Sequence, residues 1–358
     1  MKKVGIMTLH IGDNYGALLQ CYALRNVINS FSGVQADVIN YDPGREYPCY
    51  QDQEVQENYL EKLRKFREFN EKFNGIKEPV FFDTDDERML QYDYYITGSD
   101  QVWNTSFSFA KSAYFLDFVP EGAKKIAYAP SIGMPITSPK LRRDWFEKNI
   151  PSFDWLSLRE ISYQGFLGEF TRKDIYSVVD PTLLLTAKDY DELCEGTKHP
   201  EGEYILLYFL KHDHKAPLLI SLANMLSRKF NLKVVYSFAK VPSCVFKNES
   251  ETFYYSDPRE FVQAVKHAKI VITNSFHGTI FSLLYHRPFF TYLVGSMSSR
   301  VMDLLTSVGL EERIVHGYRK LTDDMLDVDF NKADEVIKNR KDDSIKYLKK
   351  ALDIMNVE

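Results

Sequence analysis

Cysteine is scarce in this chain: Cys21, Cys49, Cys194 and Cys244 are spread over 358 residues with no CxxC spacing. That argues against a thiolate metal knuckle or a disulfide scaffold and leads us to expect free thiols in a cytoplasmic setting. No apolar run approaches the roughly 18–20 residues needed to cross a bilayer. After Met1-Lys2-Lys3, the polar Asp13 and Asn14 arrive before a signal-peptide core is complete. Basic residues are not in excess either. Lys and Arg number 45 against 50 Asp and Glu, a formal charge of −5, which argues against a nucleic-acid partner. The chain has no G-x-G-x-x-G or P-loop pattern, no G-x-S-x-G elbow, no repeat of fixed period and no low-complexity tract.

What is present describes a soluble α/β protein. Hydrophobic residues make up 44% and charged residues 27%, and the length suits two domains rather than one core. Most of the 25 Phe and 23 Tyr are core residues, with a minority able to line a carbohydrate cleft. Val4–Leu9 reads as a strand, 10–16 as a Gly/Asp/Asn loop, Ala17–Ser30 as an amphipathic helix and Asp37–Tyr41 as a second strand, the opening of a doubly wound parallel unit. Residues 44–90 read as a helical insertion with a solvated charged face. Strands follow at Tyr92–Thr97, Ile126–Ser131, Trp155–Arg159 and Ile175–Val179. After a Gly/Pro-rich boundary the alternation resumes from Tyr204. We expect an N-terminal αβ domain over 1–190, a second over 191–330 facing it across a cleft, and a C-terminal helix over 331–358 packing back on the first.

Chemistry concentrates at the expected carboxyl ends of strands, where open α/β sheets bind ligands. Ile270-Val271-Ile272-Thr273 leads into Asn274-Ser275-Phe276-His277-Gly278 and then an apolar helix, which puts His277 at a strand-to-helix turn. The free N–H groups and positive dipole end of that helix favour an anion, and a histidine beside an anion is a candidate acid. Gly12-Asp13-Asn14-Tyr15-Gly16 is either a helix-capping turn or a polar lip of the cleft. Gly98-Ser99-Asp100-Gln101-Val102-Trp103-Asn104 carries more polar groups, and a tryptophan, than a turn requires, which points to ligand contact. Arg159 ends an apolar strand, so it is either paired with Glu160 or Asp180 or clamps a phosphate or carboxylate. Ser298-Ser299-Arg300 adds a second cation to the same rim. His212-Asp213-His214 lacks further ligand residues and reads as a loop rather than a metal site.

Taken in order, these motifs resemble the polysaccharide pyruvyl transferase family. The matching pieces are Asp13-Asn14-Tyr15-Gly16 with Leu19-Gln20-x-Tyr22-Ala23-Leu24, Gly98–Asn104, Ser157-Leu158-Arg159-Glu160, Asp180-Pro181-Thr182-Leu183-Leu184, and Thr273–Gly278 with Arg287-Pro288-Phe289. The resemblance spans about residues 4–310, leaving 44–90 and 311–358 without motifs. It implies two Rossmann-like domains of the GT-B kind, phosphoenolpyruvate as co-substrate, no metal or other cofactor, and a cyclic pyruvate ketal on two sugar hydroxyls. By the same resemblance His277 is the general acid and Arg159 holds the donor's anionic groups. Ser275, Gly278 and Arg300 assist in donor binding, with Arg300 standing where members often carry a lysine. Asp13, Asn14, Asp100 and Gln101 would face the acceptor. That acceptor is expected to be a sugar of a bacterial-type surface polysaccharide or its lipid-linked precursor, met at the inner membrane face by peripheral contact at most. Two other readings remain open at this point: a nucleotide-sugar glycosyltransferase, with His277 and Arg159 on a diphosphate, and a non-catalytic glycan-binding relative.

Overall fold

Short β-branched and aromatic runs alternate with amphipathic segments along the chain, and the fold follows that alternation. The structure, a computed structural model, describes residues 1–76, 78–210, 216–238, 256–293, 298–317, 322 and 324–354. The N-terminal half contains β1 (Lys2–Met7), α1 (Tyr15–Asn29), β2 (Val34–Val38), α2 (Gln53–Phe69), β3 (Tyr94–Thr97), β4 (Lys124–Ala127), α3 (Arg143–Asn149), β5 (Trp155–Leu158), α4 (Gln164–Gly168), β6 (Ile175–Ser177) and α5 (Ala187–Leu193). The C-terminal half contains β7 (Tyr204–Phe209), α6 (Ala216–Phe230), β8 (Lys233–Phe238), α7 (Pro258–His267), β9 (Ile270–Thr273), α8 (Phe276–Leu284), β10 (Phe289–Thr291), α9 (Ser298–Val308) and α10 (Asn331–Ala351). His212, Asp213 and His214 lie outside the described residues.

The strands form two parallel sheets, one ordered β2-β1-β3-β4-β5-β6 and the other β10-β9-β7-β8. Strand order reverses between β1 and β3 in the first and between β7 and β9 in the second. Those two switch points are where a doubly wound fold opens a crevice. Two parallel-sheet α/β domains of the GT-B kind are therefore present.

An apolar core runs without a break between the domains. It joins Leu18, Leu24 and Ile96 of the first sheet layer to Phe261, Ile280 and Leu348 on α7, α8 and α10. At the junction Tyr15 stacks on Phe261, with ring centroids 4.7 Å apart and planes 3° apart. Helix α10 returns to the first sheet. There Tyr347 donates to the Ala127 carbonyl at 2.8 Å, and the Ser344 hydroxyl accepts from the Val179 N–H at 3.0 Å. Among the described residues, no helix is long and apolar enough to cross a membrane.

The insertion over 44–90 is helical only in part. Helix α2 presents Tyr59, Lys62, Phe66 and Phe69 inward, whereas Leu60 is half exposed and Arg64 pairs with Glu61 and Glu68 in solvent. Its charged face is solvated as expected, with the exception of Lys62.

Candidate active site

Arg159 follows β5 and Asp180 lies three residues past β6, so two neighbouring strands deliver both to one end of the first sheet. His277 arrives from the carboxyl end of β9 in the other sheet. The helix starts earlier than the sequence pattern suggests. Ser275 is its N-cap, and His277 occupies the first turn rather than a loop.

These side chains meet out of solvent. His277 is 2% exposed, Arg159 6% and Arg300 7%. Arg159 donates to Asp180 Oδ2 at 2.6 Å and to Glu160 Oε1 at 3.2 Å, so both pairings anticipated for it form together. Asp180 is the hub. Its Oδ1 accepts from the Thr182 N–H at 3.0 Å and hydroxyl at 2.6 Å, its Oδ2 also accepts from the Ser99 hydroxyl at 3.2 Å, and His277 Nε2 lies 3.6 Å away. Burial opposes its charge, but His277, Arg159 and Thr182 together hold its carboxyl well below the usual range. Glu160 goes the other way, raised because burial outweighs the pull of Arg159 and Arg300. Burial and the neighbouring Arg159 bring Arg300 down to about 10, so it stays charged at neutrality. Both guanidiniums lie near the Phe276 ring, 4.4 Å from its centroid for Arg159 and 5.8 Å for Arg300.

Four buried polar atoms in this cluster have no hydrogen-bond partner: Arg159 Nη2, Arg300 Nε, His277 Nε2 and Glu160 Oε2. Leaving buried polar groups unsatisfied is costly, and three of the four sit on side chains that can donate to an anion. The imidazole lies flat against the first turn of α1. A Cβ on Gly16 would fall 1.9 Å from His277 Nδ1, so only glycine allows the two domains to approach here.

Ser275 and Gly278 have a local task. The Ser275 hydroxyl accepts from the Gly278 N–H at 3.2 Å, so that N–H is not free for an anion as expected. Gly278 also lets α8 pack on Thr273, whose Oγ1 a Cβ would approach to 2.7 Å. On the opposing domain, Asn14 caps α1 by accepting from the Gly16 N–H at 3.0 Å. Asp13 is buried with both oxygens engaged, accepting from Arg45 at 2.8 Å and from the Tyr59 hydroxyl at 3.1 Å. Gln101 is buried and accepts from Asn104 at 2.9 Å. Asp100, at φ 67°, lies within electrostatic range of Arg159 and Arg300, on the cationic side. Trp103, expected to meet a ligand, is instead core. It is fully buried, stacks on Phe115 and donates its indole N–H to the Tyr114 carbonyl. Sequence reasoning had Asp180 only as a partner for Arg159. Its place in the Asp-Pro-Thr turn, which caps itself through Thr182, was the available signal for a buried, fully engaged carboxylate.

A family model described as polysaccharide pyruvyl transferase matches residues 14–295. Among curated proteins, no sequence matches the chain. Solved structures share the fold at low identity. The UDP-GlcNAc 2-epimerase of Neisseria meningitidis, bound to UDP-GlcNAc, is 10% identical at a TM-score of 0.54, over 98% of this chain and 100% of that one. The corresponding epimerase of Methanocaldococcus jannaschii, in complex with UDP-GlcNAc and UDP, is 11% identical at 0.51, over 100% and 93%. At such identity the likeness speaks to the fold alone.

Proposed function

From the chain's membership of the polysaccharide pyruvyl transferase family, we propose that it transfers the pyruvyl group of phosphoenolpyruvate to two hydroxyls of a sugar, forming a cyclic ketal and releasing phosphate. The acceptor would belong to a surface polysaccharide or its lipid-linked precursor. The observation that carries this reading is the buried cluster of His277, Arg159, Asp180 and Arg300 where the two domains meet.

In this reading His277 protonates C3 of the enol, and Nε2, a buried ring nitrogen with no hydrogen-bond partner, is the atom that gives the proton. Positive charge develops at C2 and a sugar hydroxyl adds there, losing its own proton. The C2–O bond to phosphate then breaks, the phosphate departing with the electron pair. The second hydroxyl adds to C2 and loses its proton, closing the ketal. Of the two hydroxyl protons, one replaces that given by His277 and the other leaves on phosphate. Arg159 and Arg300 offer fixed positive charge to the phosphate and carboxylate, which costs no reorganisation during the reaction. Asp180 supports the positive charge of Arg159 and faces His277 Nε2 across 3.6 Å. Because Asp13 is held by Arg45 and Tyr59, it would act on the acceptor side by shaping the surface. Asn14 and Gln101 would do the same, while Asp100 is the acceptor-side carboxylate nearest the cations.

The test is phosphate release from phosphoenolpyruvate in the presence of candidate sugar acceptors. His277→Ala should abolish release while leaving donor binding within about threefold, since a general acid contributes chiefly to the chemical step. Unchanged turnover in that variant would remove the acid role. No release with any acceptor, alongside tight binding of a nucleotide sugar, would favour the glycosyltransferase reading instead.

A further inference from the structure

A cavity of about 220 Å³ adjoins the cationic cluster. Arg159, Phe276 and Arg300 form one wall, the segment from Ser177 to Asp180 a second, and Asp303 and Ser307 of α9 a third. The fourth is Arg340 of α10, from the segment beyond both the recognised motifs and the family match. Arg340 donates to the Ser307 hydroxyl at 3.1 Å and to the Ser177 hydroxyl at 3.2 Å, two neutral partners for a charged fork.

The charges around this space do not cancel pair by pair. Arg159 is matched by Asp180 and Glu160. Arg300 has Asp100, Glu160 and Asp180 within electrostatic range but no ion-pair contact with them, and its buried Nε is unpartnered. Asp303 accepts from the Ser162 N–H at 3.1 Å and lies within electrostatic range of Arg340, without an ion-pair contact to it. Two guanidiniums without carboxylate contact, the Arg159 side chain and two serines thus border one small space. Its volume is below the roughly 300–1,000 Å³ of sites for drug-sized ligands, and planar guanidinium forks match tetrahedral oxyanions.

We propose that this cavity is a phosphate subsite completed by Arg340 of the C-terminal helix. Its occupant is a phosphate group, either orthophosphate or the phosphoryl end of a small phosphate ester. The second case deepens the function proposed above and rests on it; the first does not.

Titration calorimetry of the full chain with inorganic phosphate tests the subsite without any turnover. The wild type should bind phosphate. Arg340→Gln, which can still donate to Ser177 and Ser307, should weaken binding by about tenfold or more, the worth of one charge-assisted hydrogen bond. Thermal unfolding should change little. Arg340→Lys, which keeps the charge and loses the fork, should fall between the two, and it serves as the readout if the glutamine variant does not fold. No phosphate binding by the wild type, or equal binding by the folded variants, overturns the subsite. Competition by phosphoenolpyruvate assigns the site to the ester. Phosphate binding that depends on Arg340 but ignores phosphoenolpyruvate supports the subsite for orthophosphate and counts against the donor. Turnover of phosphoenolpyruvate with phosphate binding indifferent to Arg340 removes the subsite alone.

Discussion

Asp180 has almost no contact with water, yet its surroundings keep it ionised, because Arg159 and two Thr182 donors replace the lost hydration and His277 faces it. Removing one member of a buried charge pair leaves the other uncompensated, at about 3–5 kcal/mol. Asp180→Asn should therefore lower stability by about that much at pH 7 and reduce turnover by about a hundredfold. The sign of the pH dependence follows from the depressed folded-state value. The contribution is complete above the unfolded value of 3.8 and is lost as pH falls below it, since the unfolded chain then takes up protons that the folded chain refuses. Chemical denaturation from pH 7 down to 3 should show the wild type losing stability in that acid range and the variant losing less. Gly16 makes a second case at this scale. Gly16→Ala would drive a methyl into the His277 ring, and a displacement of about 1 Å at a reacting group costs on the order of a hundredfold in rate. Steady-state kinetics should show the loss in kcat rather than in donor KM. A rate within threefold of wild type would mean that the ring is not held for catalysis.

Helix α2 shows what patterning reveals and what it hides. Its apolar spacing identified a helix, and its exposed Arg64 network behaves as a solvated face. Periodicity alone gave no hint that Lys62 points inward, over the rings of Tyr15 at 4.5 Å and Phe66 at 5.2 Å. Nor did it indicate that Arg45 and Tyr59 would occupy Asp13. Such contacts span tens of residues in sequence and leave no local period to read. The strands were legible because a strand buried on both faces is a continuous apolar run, as in Ile270-Val271-Ile272-Thr273. So was the convergence of Arg159 and His277, because both lie at strand ends. The closure of the Gly278 N–H by Ser275 was not, since a cap and an anion site look alike in sequence. For Lys62 the consequence is measurable. Burial pushes its ammonium down to about 7, with Asp13 opposing. Between that value and 10.5 the unfolded chain binds the proton that the folded chain does not, so the penalty shrinks as pH rises. Lys62→Met should stabilise the protein at pH 6 by about 1–3 kcal/mol and by less at pH 9. An equal effect at both values would show that the side chain is not desolvated.

At the scale of the whole molecule, the reacting groups come from both domains but none is open to solvent in this arrangement. His277 from the second sheet is sealed against Gly16 of the first, and Arg159 from the first is covered by Phe276 of the second. A donor can reach His277 Nε2 only when the domains part, so turnover should require relative motion of the two sheets. The contacts that must yield are identifiable. They include the Tyr15–Phe261 stack, the Arg259 guanidinium 4.9 Å over Phe73, and the Lys65–Glu260 pair at 3.3 Å that bridges α2 and α7. The last is half-exposed and weak, as salt bridges near solvent are, so replacing it should cost little stability. Lys65→Cys with Glu260→Cys, in a background with Cys244 and Cys49, the exposed native thiol among the described residues, changed to Ser, places two thiols across the seam. Joining them with a short cleavable bis-thiol crosslinker should cut turnover at least about tenfold, and cleaving the link should restore it, because gating motions of this kind set the access of substrate and the release of product. The uncrosslinked double variant controls for the substitutions themselves. Full activity with the link intact would mean that the donor enters by another path, through the cavity beside Arg340 rather than between Gly16 and His277.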